Sequence, residues 1–415
     1  MVELLSPAGN LEKLKYAFAY GADAVYAGIP DYSLRVKENK FDLLSLKKGI
    51  NYAHDIDKKV YLTINFFPRY FDENAFIKRM EEIHALGADA YIVSDPGIID
   101  IIRDNFKDAE LHLSVQANTT NAYAVKFWYK QGIKRVILAR ELSIEEIRSI
   151  HKKVPQMELE FFVHGSLCMA YSGRCFLSAY LSGRNPFQGI CNQPCRWKYK
   201  LKLIEVQDED NEIIVEEDDK GSYLLSSKDL CLIKRLKELK DAGIISFKIE
   251  GRNKSEFYVA AVTKAYRIAL DYLKEGKEPP YDELMKLLRA TSNRKFIESY
   301  VDKIKPSELQ TWNYTTSQQT HQYVGKITKV ISSNKIKVLP KNKLKTGDDV
   351  EILVPGKNPG FLPAKIRKIT YQGKEVESVS GGVNHFVEID LDRNFDILEF
   401  GIILKIKNKN KEHKT

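Results

Sequence analysis

One short phrase recurs along this chain and limits what it can fold into. It reads Gly21-Ala22-Asp23-Ala24-Val25-Tyr26 and again Gly87-Ala88-Asp89-Ala90-Tyr91-Ile92. Looser copies are Gly132-Ile133-Lys134-Arg135-Val136-Ile137 and Gly243-Ile244-Ile245-Ser246-Phe247-Lys248. Each copy ends an amphipathic segment and begins an apolar one. Glycine closes a helix in a left-handed conformation, and the apolar run directly after it suits a strand buried on both faces.

The pattern predicts eight strands, at residues 2–6, 24–27, 59–65, 90–94, 111–116, 135–139, 157–163 and 245–250. Helices are predicted at 10–20, 41–55, 73–86, 98–106, 122–130, 144–153, 230–241 and 255–274. Eight strands, each trailed by a helix, fit a (β/α)8 TIM-like barrel. A doubly wound sheet is the alternative, but Ser6-Pro7-Ala8-Gly9-Asn10 is not the glycine-rich phosphate turn that fold carries after its first strand.

The rhythm breaks after the seventh strand. Residues of about 168–227 read as an insertion with a β-hairpin, 199–206 paired with 212–215 across an acidic turn. A short helix at 281–289 ends the first domain, taken as 1–305, and 306–322 is a polar linker. From 323 to 404 short alternating segments predict a small β-barrel, with strands at 323–330, 335–338, 349–354, 364–370 and 385–389. Residues 405–415 form a lysine-rich tail expected to fray. From 323 onward roughly 18 lysines and arginines face roughly 11 carboxylates, so most of the net charge of +9 lies here. The charge permits a nucleic-acid partner without requiring one, and the 323–404 barrel is the expected RNA-binding part of the chain. The N-terminus has no basic, signal-type segment, and no apolar run approaches the ~20 residues that span a bilayer. The expected place is the cytoplasm, with no membrane partner.

Thiols stay reduced there, so clustered cysteines point to metal rather than disulfides. Four of the five lie in one span, Cys168, Cys175, Cys191 and Cys195, spaced C-x6-C-x15-C-x3-C. Paired C-x2–4-C hooks mark structural zinc. This looser spacing suits an iron–sulfur cluster, with zinc as the alternative. Cys231 is the alternative fourth ligand to Cys195.

Chemistry in such a barrel sits at the C-terminal ends of the strands. Polar residues fall there: Arg35, Asn65, Asp95, Gln116, Asn118, Arg140, Glu141, His164, Glu250 and Arg252. Any one of them could be a helix cap or a surface ion pair. Paired Arg and Glu at two strand ends suit an anionic ligand and proton transfer. His164, four residues before Cys168, reads either as a core histidine or as an acid/base group beside the metal. There is no H-E-x-x-H, no P-loop, no G-x-S-x-G elbow and no radical-type C-x3-C-x2-C.

The segments Glu160-x-Phe162-x-His164-Gly165-Ser166-Leu167-Cys168 and Gly173-x-Cys175-Phe176-Leu177-Ser178 resemble the signature of the collagenase-like peptidase family. So do Glu3-Leu4-Leu5-Ser6-Pro7-Ala8-Gly9, Tyr32-Ser33-Leu34-Arg35, Ser114-Val115-Gln116-Ala117 and Lys248-Ile249-Glu250-Gly251-Arg252. The resemblance covers nearly the whole chain. It implies either a peptidase or, from relatives in the family, an RNA hydroxylation factor with a 4Fe-4S cluster on Cys168, Cys175, Cys191 and Cys195. The branch most similar is implied to convert wobble uridine of tRNA to 5-hydroxyuridine with prephenate as co-substrate. On that reading Arg35, Arg140 and Arg252, with Asn65, Asp95, Gln116 and Asn118, bind substrate. Glu141, Glu250 and His164 move protons, and tRNA and hydroxylation-pathway proteins are the partners. A peptidase of unassigned mechanism and a non-catalytic iron–sulfur scaffold are the rival expectations.

Overall fold

The structure is a computed structural model. It describes residues 2–29, 32–33, 40–168, 170–171, 174–175, 177–182, 184, 191–196, 203–204, 212–213, 227–291, 293–302, 318–382, 385–396 and 399–407. Arg35, the linker from 306 to 317, the tail from 408 and most of the 185–226 insertion lie outside the described residues.

Eight parallel strands close on themselves: β1 (Glu3–Ala8), β2 (Ala24–Gly28), β3 (Lys59–Ile64), β4 (Ala90–Val93), β5 (Leu111–Leu113), β6 (Arg135–Ile137), β7 (Glu158–Ser166) and β8 (Ile244–Ile249). Each pairs with the next, and β8 pairs with both β7 and β1, with Phe247 opposite Phe161 and Glu3 opposite Ser246. The four glycines of the recurring phrase all hold positive φ, between 77° and 104°, which lets the chain leave a helix and enter a strand within two or three residues. Helices α1 (Leu11–Ala19), α2 (Leu43–Asp55), α3 (Glu73–His84), α4 (Pro96–Asn105), α5 (Ala122–Lys130) and α6 (Ile144–Lys153) follow the first six strands. Their starts are set by side-chain caps, as where Ser143 and Glu146 form a reciprocal capping box.

The insertion carries the short helix α7 (Leu177–Ser182), and Leu203–Ile204 pairs antiparallel with Glu212–Ile213 as a hairpin. The stretch 230–241, expected as one helix, differs. Asp229–Cys231 is a strand, antiparallel to β7 and parallel to Phe296–Ile297. A 3-10 turn, Ile233–Arg235, then leads into the short helix α8 (Leu236–Asp241). The i, i+3 spacing of Leu230, Ile233, Leu236 and Leu239 mimics a helix, but the end of β7, which runs on past its pairing with β6, claims its first residues. The fifth strand is also shorter than expected, because Ser114 caps a 3-10 turn, Val115–Ala117.

The chain divides into two compact units. One comprises Met1–Leu14, Asp23–Lys254 and Asn293–Ser317, and the other Lys15–Ala22, Ser255–Ser292 and Gln318–Thr415. The second holds α9 (Glu256–Lys274), α10 (Tyr281–Ala290) and a closed antiparallel barrel. Its strands are β9 (His321–Val330), β10 (Lys335–Pro340), β11 (Asp349–Leu353), β12 (Leu362–Tyr371), β13 (Val387–Leu391) and β14 (Ile402–Ile406). The order is β9-β10-β13-β12-β11-β14 and back to β9. Alternate residues such as Ile336, Val338, Val387 and Ile389 fill its core. The closing strand β14 was not expected from the sequence, where the lysine-rich tail hides it.

Candidate functional site

The interior of the eight-stranded barrel is not wholly apolar. Glu160 of β7 is fully buried, and its carboxylate accepts from Lys248 Nζ at 2.7 Å and Ser246 Oγ at 3.2 Å. Arg135 of β6 reaches Glu160 at 3.3 Å, Glu3 at 2.6 Å and Glu158 at 2.9 Å. Tyr61 donates to Glu3 at 2.6 Å and packs on the buried ring of His112. Burial pushes the Glu160 carboxyl up, but the charges of Lys248 and Arg135 prevail and hold it below the usual range. Burial pulls the Lys248 ammonium down in spite of Glu160.

Above this network two aromatic rings make a floor. Lys248 Nζ lies 4.5 Å from the Tyr26 ring centroid and 5.4 Å from that of Phe162. The Arg140 guanidinium stacks on the other part of that floor, 3.9 Å from the Phe162 centroid. It donates to the Ser166 carbonyl at 2.9 Å and to Glu250 at 3.2 Å. Arg252, buried, donates to Ser33 and Thr63 hydroxyls at 2.8 Å each and lies 5.9 Å from the Tyr26 centroid. Three cations, Lys248, Arg140 and Arg252, thus ring two aromatic faces at the C-terminal end of the strands, with Glu250 among them.

Gly165 is what permits this approach. Its φ is +113°, and a Cβ there would stand 2.7 Å from the Glu250 carbonyl oxygen and 2.8 Å from the Glu250 Cβ. Glu250 N–H donates to the His164 carbonyl at 2.9 Å, which fixes the strand end.

The cysteine excursion lies across the same rim. Arg174 donates to the Gln116 carbonyl at 2.8 Å and stacks over Phe67, at the ends of β5 and β3. Asn192 accepts from Ser178 at 2.7 Å and Ser182 at 3.0 Å, pinning the Cys191 segment to α7, which begins two residues after Cys175. Burial pushes the Cys175 thiol up, and the nearby Cys168 and Cys191 add to that against one backbone N–H. Gln193 N–H points at Cys191 Sγ from 3.4 Å, and Cys195 sits on the 3-10 turn Pro194–Arg196. All five cysteines are free thiols. Four thiols drawn from one excursion, with Cys175 feeling the charge of both Cys168 and Cys191, are a donor set suited to an iron–sulfur cluster or to zinc. Among the described residues no three His, Cys, Asp or Glu side chains stand close enough to hold a single ion.

Other expected residues go elsewhere. His164 is buried, packs against Phe296, and is pushed down to about 3 by loss of solvent. That favours its neutral form near pH 7. Cys231 is buried opposite it in the strand pairing. Asp95 caps α4, accepting from Gly97 and Ile98 N–H groups. Asn118 ends the turn after β5 with φ +60° and a buried Oδ1 that has no hydrogen-bond donor among the described residues. Gln116 presents its carbonyl to Arg174, and Asn65 and Glu141 are half-buried just beyond β3 and β6. The sequence analysis missed Glu160, Arg135 and Lys248 as a connected group. The signal was there: a carboxylate and an ammonium inside two otherwise apolar strands.

Residues 9–311 match peptidase family U32, and residues 319–403 match the peptidase family U32 C-terminal domain. The chain is 40% identical over 97% of its length to a protein of Haemophilus influenzae named tRNA hydroxylation protein P, covering 96% of it. It is 35% identical over 71% of its length to the 23S rRNA 5-hydroxycytidine C2501 synthase of Escherichia coli K12, covering 42% of that protein. A protein of Porphyromonas gingivalis named collagenase is 32% identical, with 92% of each chain covered.

Proposed function

We propose that this chain, which belongs to peptidase family U32, is an RNA-modifying enzyme that hydroxylates tRNA. One observation carries the reading: 40% identity across 97% of the chain to a protein named for tRNA hydroxylation. A second relative, named for making 5-hydroxycytidine in rRNA, extends the same chemistry to another RNA. The finer proposal is conversion of wobble uridine to 5-hydroxyuridine, with prephenate as co-substrate and a 4Fe-4S cluster on Cys168, Cys175, Cys191 and Cys195. Such a cluster would supply one-electron chemistry or a Lewis-acidic iron at the barrel rim.

The chain's own residues supply the rest. A base must leave its stack to be modified, and the Arg140 guanidinium above Phe162 is a planar group for it to meet. Prephenate carries two carboxylates, and Arg140 and Arg252 are the guanidiniums placed to hold them, with the Lys248 charge beneath. Glu250, oriented by Arg140, is the carboxylate best placed to take a proton from the reacting carbon; Glu141 is the second candidate. His164 stays neutral and spaces the strand ends.

Nucleoside mass spectrometry of tRNA from a deletion strain tests this. 5-Hydroxyuridine should disappear and return with the wild-type gene. Unchanged levels after deletion would remove the proposal. The relative named collagenase favours a peptidase reading, which cleavage of denatured collagen by the purified protein would support. Against it, a histidine held neutral and buried at the end of β7 is a poor base for a nucleophile.

Gly165→Ala tests the closeness of the two strand ends at the mouth. The added Cβ collides with Glu250 and also meets an unfavourable φ, so Glu250 must shift away from Arg140. Modification in the complemented strain should fall about 100-fold, since a displacement of ~1 Å can cost that much. Wild-type levels of 5-hydroxyuridine in this variant would show that the Arg140–Glu250 pair takes no part.

A further inference from the structure

The C-terminal barrel has a cleft of its own, of about 450 Å³, on the outward face of β10, β12 and β13. We propose that it binds an unpaired nucleotide of RNA. This rests on the RNA reading above and adds a second place where the chain holds its substrate.

Tyr371 ends β12, and its hydroxyl meets His385 Nδ1 at 2.8 Å with the two rings edge-on. Phe386, before β13, is 44% exposed, although each neighbouring inward residue of β13 is buried in the core. Lys337 of β10 holds its ammonium 5.3 Å from the Phe386 ring centroid, and among the described residues it has no carboxylate partner at ion-pair distance. Gln372 follows Tyr371 at φ +50°, a conformation that glycine or asparagine would take more easily, and its amide donates to the Tyr371 hydroxyl at 3.3 Å. Glu388, on the cleft wall, is held by Lys335 at 2.8 Å.

Aromatic faces beside a cation are the chemistry that recognises a splayed base and its phosphate. The rings offer stacking, Lys337 offers a phosphate contact, and Gln372, Thr370 and Glu388 offer donors and acceptors to a base edge. The volume is enough for one nucleoside and too little for a duplex. A peptide could use the apolar rings, but from residue 323 to the end of the lysine-rich tail lysines and arginines exceed carboxylates, which favours a polyanion.

The test uses the full-length protein with tRNA and with a short uridine-rich oligonucleotide, read by fluorescence anisotropy. Tyr371→Ala/Phe386→Ala should weaken binding of the oligonucleotide about tenfold, because stacked bases depend on the rings. Lys337→Glu should weaken it and flatten its salt dependence. Cross-linking of a 5-bromouridine oligonucleotide to the wild-type protein should map to Tyr371 or Phe386, which guards against a misfolded variant. Unchanged affinity in both variants, or cross-links confined to other residues, overturns the inference and leaves the hydroxylase reading standing. A peptide that displaces the fluorescently labelled oligonucleotide while unlabelled tRNA does not would also overturn it. Loss of 5-hydroxyuridine dependence on the gene, with RNA affinity still sensitive to Phe386, would instead break the function and keep the cleft.

Discussion

Cys175→Ser is expected to strip the protein of iron and acid-labile sulfide and to abolish 5-hydroxyuridine in a complemented deletion strain. The same result is expected for Cys168→Ser, Cys191→Ser and Cys195→Ser, whereas Cys231→Ser should leave both near wild type. Cluster iron binds thiolate, and a serine hydroxyl neither ionises at neutral pH nor matches iron's softness. Loss of one ligand should therefore exceed the roughly 10–100-fold cost of altering a group that only orients a ligand. Without the cluster the Cys175 thiol is held up by burial and by the nearby Cys168 and Cys191, so that thiol resists ionising. Loading the cluster reverses that and releases protons. The Cys191 segment is tied to α7 by Ser178, Ser182 and Asn192 and not through its thiol. Each serine variant should therefore fold, with an unchanged circular dichroism spectrum. Iron content retained in Cys195→Ser and lost in Cys231→Ser would exchange those two residues in the ligand set. Iron and sulfide absent from anaerobically purified wild-type protein would remove the cluster.

The barrel was legible because its signals are local. A glycine at the helix end and an apolar run after it occupy half a dozen residues, and the copies at Gly21, Gly87, Gly132 and Gly243 each open a parallel strand with the glycine at positive φ. Where the sequence misled, a distant partner decided. Leu230 has helical spacing to Ile233, yet the β7 edge takes Asp229–Cys231 as a strand. Ile402–Ile406 straddles the expected boundary between barrel and tail at 404–405, and it becomes a strand because β9 and β11 pair with it. The strand-end rule placed Arg140, Glu250 and Arg252 together, but it could not separate them from Asp95. Asp95-Pro96-Gly97 is a helix start with proline in the first turn, and that local use claims its carboxylate. The Glu160–Lys248 contact joins residues 88 apart in sequence, so no window of the chain contains it.

That contact carries the largest expected effect on stability. Glu160→Gln should destabilise the first unit by about 3–5 kcal/mol, the usual cost of removing one partner from a buried ion pair. The amide keeps the shape of the carboxylate, so the loss is one of charge. Arg135 retains Glu3 and Glu158, but Lys248, 4% exposed, loses the carboxylate at 2.7 Å that holds its ammonium against burial. Its cheapest response is to give up its proton, which would take a charge from beneath the Tyr26–Phe162 floor and weaken the hold on an anion above it. Lys248→Met in the wild type should be costly for the mirrored reason, since it leaves Glu160 buried beside Arg135 alone. The double variant Glu160→Gln/Lys248→Met removes both charges, and its loss should be smaller than the sum of the two by at least 1–2 kcal/mol, the coupling expected of groups in one network. Urea unfolding followed by circular dichroism measures all three variants. Strict additivity, or a Glu160→Gln loss below 1 kcal/mol, would mean that water or a neighbouring group already screens this charge inside the barrel, and that Lys248 carries none of the positive field at its mouth.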